Sequence, residues 1–150
     1  MALELLGRDL LMTPFFQADA WGTQDLVPSP ALPVYPDEVV DLGVAAGGDN
    51  LRQALILRLL TPVGSLTDLG HASYGSRLHE LVGQPYSERL RLQCRAFVLA
   101  ALSQEARVDQ VLSLEVSAPT ADAPDTLRIA LRIAPVGGGD PLTLGLEVAL

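Results

Sequence analysis

The chain predicts an α+β fold: an antiparallel sheet of three to four strands packed against two to three helices, with an extended N-terminal arm. Three observations carry this. Apolar residues recur at helical spacing between about residues 50 and 103, then at every second residue from about 107 to the end. The connections in the second region are short, which favours a meander with one face covered by the helices. Prolines and large aromatic side chains crowd the first 37 residues, where they block helix and seek burial. The 150 residues suit one domain, read as an arm over 1–37 followed by a folded domain over 38–150.

Between positions 13 and 37 stand Pro14, Pro28, Pro30, Pro33 and Pro36, with Phe15, Phe16, Trp21 and Tyr35 making four of the seven aromatic residues. Disordered segments are poor in aromatics, which favours an ordered arm over a disordered leader. A short strand is expected over 38–44, after which Gly47 and Gly48 break the chain and Asp49 or Asn50 caps a helix. That helix covers about residues 50–60, with Leu51, Ala54, Leu55, Leu59 and Leu60 on one face and Arg52, Gln53 and Arg58 on others. Pro62 and Gly64 end it. A short helix is expected over about 74–82, closed by Gly83, and a long one over about 86–103. In the long helix Leu92, Ala96 and Leu99, beside Phe97 and Val98, form the expected core stripe, while Glu88, Arg89, Arg91 and Arg95 mark exposed faces.

Three strands follow, over about 107–117, 126–134 and 142–150. The second aligns Leu127, Ile129, Leu131 and Ile133 on one face; the third aligns Leu142, Leu144, Leu146, Val148 and Leu150. Residues 118–125 and 135–141 read as the joining turns. The last strand carries Glu147 as its only charge and no proline, although exposed edges usually carry such guards. Either it or the first strand is an open edge that accepts a strand from another protein, or its own neighbours or the arm cover it.

The net charge of −8 argues against nucleic-acid binding, which needs a basic surface. Its distribution is uneven: residues 1–50 hold eight acids against Arg8, residues 51–107 four acids against seven arginines, and residues 108–150 six acids against two arginines. All ten basic residues are arginine, a usage that either planar ion pairing or GC-rich coding explains. No stretch approaches the roughly 18 uncharged apolar residues of a membrane span, and Glu4, Arg8 and Asp9 interrupt the first twelve residues where a signal peptide would be apolar. Cytoplasmic synthesis is expected. The lone Cys94 leaves no internal disulfide and no thiolate cage.

A search for chemistry yields little. His71 and His79 lack a third ligand at useful spacing, so no metal site is expected. No nucleophile elbow is present, and Gly137-Gly138-Gly139 precedes Asp140-Pro141 rather than a phosphate-binding lysine, so no cofactor is expected. A glycosidase needs two carboxyls, one with a raised pKa. Asp68, Glu80, Glu88 and Glu105 are available, but Glu80 and Glu88 stand beside arginines that keep them ionised. No catalytic residue is assigned. Glu105 and Arg107 flank the junction of the long helix and the first strand, where charges two apart can both face outward and grip a partner, or form a solvated surface pair.

Three motifs in order, Gly48-Asp49-Asn50-Leu51-Arg52-Gln53-Ala54, Arg58-Leu59-Leu60-Thr61-Pro62-Val63-Gly64 and Tyr74-Gly75-Ser76-Arg77-Leu78, resemble the baseplate wedge and sheath-initiator family, also called tail-lysozyme-like. Its members occur in contractile phage tails, extracellular contractile injection systems and type VI secretion systems. The likeness covers about 38–150 and, more faintly, Leu6-Gly7-Arg8-Asp9-Leu10. The family's Glu-Pro-Arg stands here as Glu105-Ala106-Arg107, and Ser65 follows Gly64 where many members carry a charge.

The resemblance implies a structural baseplate subunit of a virion tail or injection particle, docking on other wedge proteins and templating sheath protein by strand addition, with inner tube or hub proteins as further neighbours. The implied partner-binding residues are Glu105, Arg107, Arg77, Arg91 and Arg95 for docking and Leu144, Leu146 and Val148 on the accepting strand. Glu105→Ala or Arg107→Ala is then expected to leave the domain folded, and a proline at Leu144 to block the strand. A peptidoglycan hydrolase, or an adaptor of the same fold, is the alternative.

Overall fold

The computed structural model describes residues 5–12, 28–29 and 41–150. Most of the expected arm, including Pro14, Phe15, Phe16, Trp21 and Tyr35, lies outside those residues. In chain order the elements are β1 (Arg8–Leu10), β2 (Pro28–Ser29), β3 (Asp41–Leu42), β4 (Val44–Ala46), α1 (Gly48–Leu60), α2 (Glu88–Leu102), β5 (Val108–Ser117), β6 (Thr126–Pro135) and β7 (Leu142–Ala149). Two short antiparallel pairs, β1 with β4 and β2 with β3, precede a three-stranded antiparallel sheet in the order β5-β6-β7. The fold is α+β. The strand expected over 38–44 is found as β3 and β4, and each pairs with a segment near the N-terminus instead of joining the large sheet.

The sheet follows from period-2 patterning. Leu127, Ile129, Leu131 and Ile133 of β6 are buried together with Leu114 and Val116 of β5 and Leu142, Leu144 and Val148 of β7. The opposite face carries Glu115, Arg128, Ala130, Arg132, Thr143 and Gly145, all exposed. Onto the apolar face α1 packs Leu51, Leu55, Ile56 and Leu59, and α2 packs Leu90, Cys94, Val98, Ala101 and Leu102. Each fully buried Leu, Ile or Val contributes about 1.5–3 kcal/mol by leaving water, so this sandwich of helices on one sheet face is the dominant stabilising term.

Local signals set the helix ends. Ser87 caps α2, its hydroxyl oxygen accepting the Leu90 N–H at 3.1 Å, a contact worth about 1 kcal/mol. At the end of α1 the Thr61 N–H and hydroxyl both donate to the Leu57 carbonyl, at 2.9 and 2.7 Å, before Pro62 forbids another turn.

Three expectations are corrected. The stripe Leu92, Ala96, Leu99 does not face the core: Leu92 is 55% and Leu99 37% exposed, and Ala96 is exposed. The buried stripe begins at Leu90 instead, and this rotation carries Arg91 and Arg95 to the margin of β5. Gln53 and Arg58, expected on outward faces of α1, are buried and largely buried respectively. The helix expected over 74–82 is reduced to a single 3-10 turn, Leu78–Leu81. Its first residues are held instead against the end of α1: Ser76 N–H donates to Thr61 O at 2.8 Å, Val63 N–H to Ser76 O at 2.9 Å, and the Ser76 hydroxyl to Leu59 O at 2.5 Å. Gly75 makes this approach possible. Its φ is 114° and a Cβ there would press on the Thr61 carbonyl oxygen.

Candidate functional site

Two regions gather the chemistry-bearing side chains, and the first is a polar clamp at the junction of α2 and β5. Glu105 is not an outward-facing surface charge, as expected, but is 9% exposed. Arg107 donates from Nε to its Oε1 at 2.7 Å and from Nη2 to its Oε2 at 3.1 Å, and Arg58 of α1 reaches Oε2 from the other side at 3.4 Å. Burial alone would raise the Glu105 pKa; the hydrogen bonds and charge of Arg107, with the charge of Arg58, outweigh it and hold the carboxyl below its ordinary range. Arg58 also lies over the Tyr74 ring, 4.5 Å from the centroid. Desolvation raises the Tyr74 pKa, with the Arg58 charge acting against it.

The clamp holds the N-terminal segment. Arg107 Nη1 and Asn50 Nδ2 both donate to the Leu6 carbonyl, at 3.2 and 2.8 Å. Gln53 copies a strand neighbour: its Nε2 donates to Leu10 O at 2.8 Å while its Oε1 accepts the Met12 N–H at 3.1 Å. Leu6, Asn50, Arg58 and Tyr74, far apart in sequence, thus meet around the Glu105–Arg107 ion pair. Asn50, Gln53 and Arg58 were missed as members. A signal existed, since two amide side chains three apart on an apolar helix share a face and need partners when buried.

The second region is the pair of sheet margins. The Leu150 N–H donates to Asp125 O at 2.7 Å, so even-numbered residues of β7 direct their backbone groups to β6 and odd-numbered ones point away. Arg52 Nε accordingly donates to the outward Thr143 carbonyl at 3.3 Å. The backbone groups of Gly145, Glu147 and Ala149 face outward, and no strand pairs with that side among the described residues. Across the sheet, Arg95 Nη1 donates to the Leu114 carbonyl and Arg91 Nη1 to the Val116 carbonyl, the latter at 3.3 Å.

The remaining candidate residues are dispersed. Arg77 is exposed, forks onto Glu80 at 2.7 and 2.8 Å, and lies 4.6 Å from the Phe97 centroid. Hydrogen bonds from Arg77 and Arg91 lower the Glu80 and Glu88 pKa values respectively. Leu144 and Val148 are buried in the core and Leu146 is half-buried, so the first two side chains are covered by the molecule's own core. His71 and His79 are exposed, and among the described residues no three His, Cys, Asp or Glu side chains converge. No helix among them is long and apolar enough to cross a membrane.

No family model and no curated protein sequence matches the chain. A solved structure does: a candidate tail lysozyme of Geobacter sulfurreducens aligns over 66% of this chain and 86% of its own, with 19% identity and a TM-score of 0.55. The two share a fold. The likeness is one of architecture, and it leaves the chemistry of this chain to its own side chains.

Proposed function

We propose that the chain is a structural baseplate subunit of a contractile tail or injection apparatus, docking on wedge proteins and templating sheath by accepting a strand along β7. The observation that carries this is the outward run of backbone at Gly145, Glu147 and Ala149, which no strand among the described residues pairs, the geometry used for strand addition. The likeness to a tail-associated protein supports the setting. Docking on wedge proteins would use exposed cations, Arg77 and the outer part of Arg107, while Glu105 fixes the Arg107 orientation from inside.

The test must leave the fold intact. A proline at Leu144 does not, because its amide belongs to the β6 ladder and its side chain to the core. Gly145→Pro meets the requirement: its N–H points outward, a Cβ there meets nothing within 4 Å, and proline is tolerated at such edge positions. Particles assembled with this variant are expected to carry baseplates without polymerised sheath. Full-length sheath on those particles would defeat the strand-acceptor reading. Of the four carboxyls weighed for a hydrolase, which uses one with a raised pKa, arginines shift Glu80, Glu88 and Glu105 downward.

A further inference from the structure

The margin of β5 is closed in two different ways along its length. Its first half is irregular, with register shifts between Val108 and Gln110 and between Val111 and Ser113, and such bulges discourage pairing. Its second half, from Ser113 to Ser117, is regular and pairs residue by residue with Arg132 to Arg128. This regular half is where Arg95 and Arg91 bind the Leu114 and Val116 carbonyls. Four helical residues rise about 6 Å and two strand residues about 6.6 Å, so one flank of α2 keeps step with alternate carbonyls of β5. Glu88 steadies the arrangement by accepting Arg91 Nε at 2.8 Å.

We infer that Arg91 and Arg95 are edge guards that keep β5 from pairing with a second copy of this chain, leaving β7 as the margin open to addition. An added strand would need the Leu114 and Val116 carbonyls as acceptors for its own N–H groups. It would also have to occupy the space of two guanidinium groups and break their charge-assisted hydrogen bonds. A second copy is the occupant to be kept out, since every molecule carries the same regular stretch and a two-fold pairing of it closes on itself. Leu112, 43% exposed beside this stretch, would add apolar contact to such a pair. The guard role holds whatever adds at β7.

The test uses the full chain with Arg91→Ala and Arg95→Ala together, against wild type and a charge-matched control, Arg89→Ala with Arg132→Ala. Sedimentation across a concentration range and residue-resolved amide exchange are the readouts. The guard variant is expected to rise in mass toward about twofold with concentration, with the Leu114 and Val116 amides gaining at least about tenfold protection, while the control behaves as wild type. A folded guard variant that keeps the wild-type mass throughout would overturn the inference, as would association that protects Gly145, Glu147 and Ala149 instead. If the double variant does not fold, Arg95→Ala alone leaves the Arg91–Glu88 pair in place and is expected to show the same shift at higher concentration. Wild-type exchange at Leu114 and Val116 in that folded single variant is then the overturning result.

Discussion

Replacing Glu105 with alanine removes the one carboxylate that Arg58 and Arg107 share. Its side chain is 8% exposed, that of Arg58 12% and that of Arg107 29%. Removing one partner of a buried pair costs about 3–5 kcal/mol, because the charge left behind is unsatisfied. Arg107 can turn partly to water, which argues for the low end, about 3 kcal/mol by the same rule. For a chain of this size each kcal/mol moves the melting temperature by about 2–4 °C, so Glu105→Ala should lower Tm by on the order of 10 °C. The urea midpoint should fall with the slope unchanged. The isolated domain is therefore weakened by this change, contrary to what an outward-facing pair would give, and a docking defect in Glu105→Ala cannot by itself be assigned to a lost interface. The pH dependence has a definite sign. The folded carboxyl lies below its unfolded value of about 4.3, so the clamp's contribution is complete above that value and is lost as the pH falls through the lower folded one. Glu105→Gln should flatten this acid limb of the stability curve. A Glu105→Ala chain melting within about 1 °C of wild type, a shift worth well under 1 kcal/mol, would refute the clamp.

Gly75→Ala should cost more than about 2 kcal/mol, since it combines a positive-φ penalty with pressure on the Thr61 carbonyl; a chemical denaturation curve measures it. Gly145→Thr should leave the isolated chain as stable as wild type or raise its Tm by a few degrees, because the site is open strand and glycine there carries only an entropic penalty. Cys94 should resist thiol reagents at pH 8 in the folded chain and react at once when the chain is unfolded in urea, since burial pushes its pKa up to about 11.

The sheet was the most legible part of the fold. Alternation over 126–134 and 142–150 could only be satisfied by strands with one buried face, and the turns between them were too short for a crossover. Helix existence was legible too, but the orientation of α2 was not. Leu92-Ala96-Leu99 and Leu90-Cys94-Val98-Ala101 are both helically spaced, and nothing within the helix chooses between them. In the structure the second stripe packs on the sheet, and that orientation brings Arg91 and Arg95 to carbonyls of β5. The clamp was legible only as a set of motifs. Its contacts join Leu6 to Asn50 and to Arg107 across gaps of 44 and 101 residues, and local patterning carries no information at that range.

The basic middle of the chain now has a physical account that its composition left open. Of the seven arginines between 51 and 107, six are engaged within the molecule: Arg52 with Asp49, Arg58 and Arg107 with Glu105, Arg77 with Glu80, Arg91 with Glu88, and Arg95 with the Leu114 carbonyl. Four of the six donate to main-chain carbonyls as well as, or instead of, a carboxylate, at Thr143, Leu6, Val116 and Leu114. A lysine ammonium is a single point, whereas the guanidinium presents five donors in a fixed plane and can serve a carboxylate and a carbonyl together. Coding bias alone would scatter arginines over the surface. Here three of them, Arg52, Arg91 and Arg95, fall on outward carbonyls at the two margins of the sheet, and Arg107 joins Asn50 on the Leu6 carbonyl. Among the described residues, the outward carbonyls of β7 beyond Thr143 receive no arginine, in contrast to those of Leu114 and Val116.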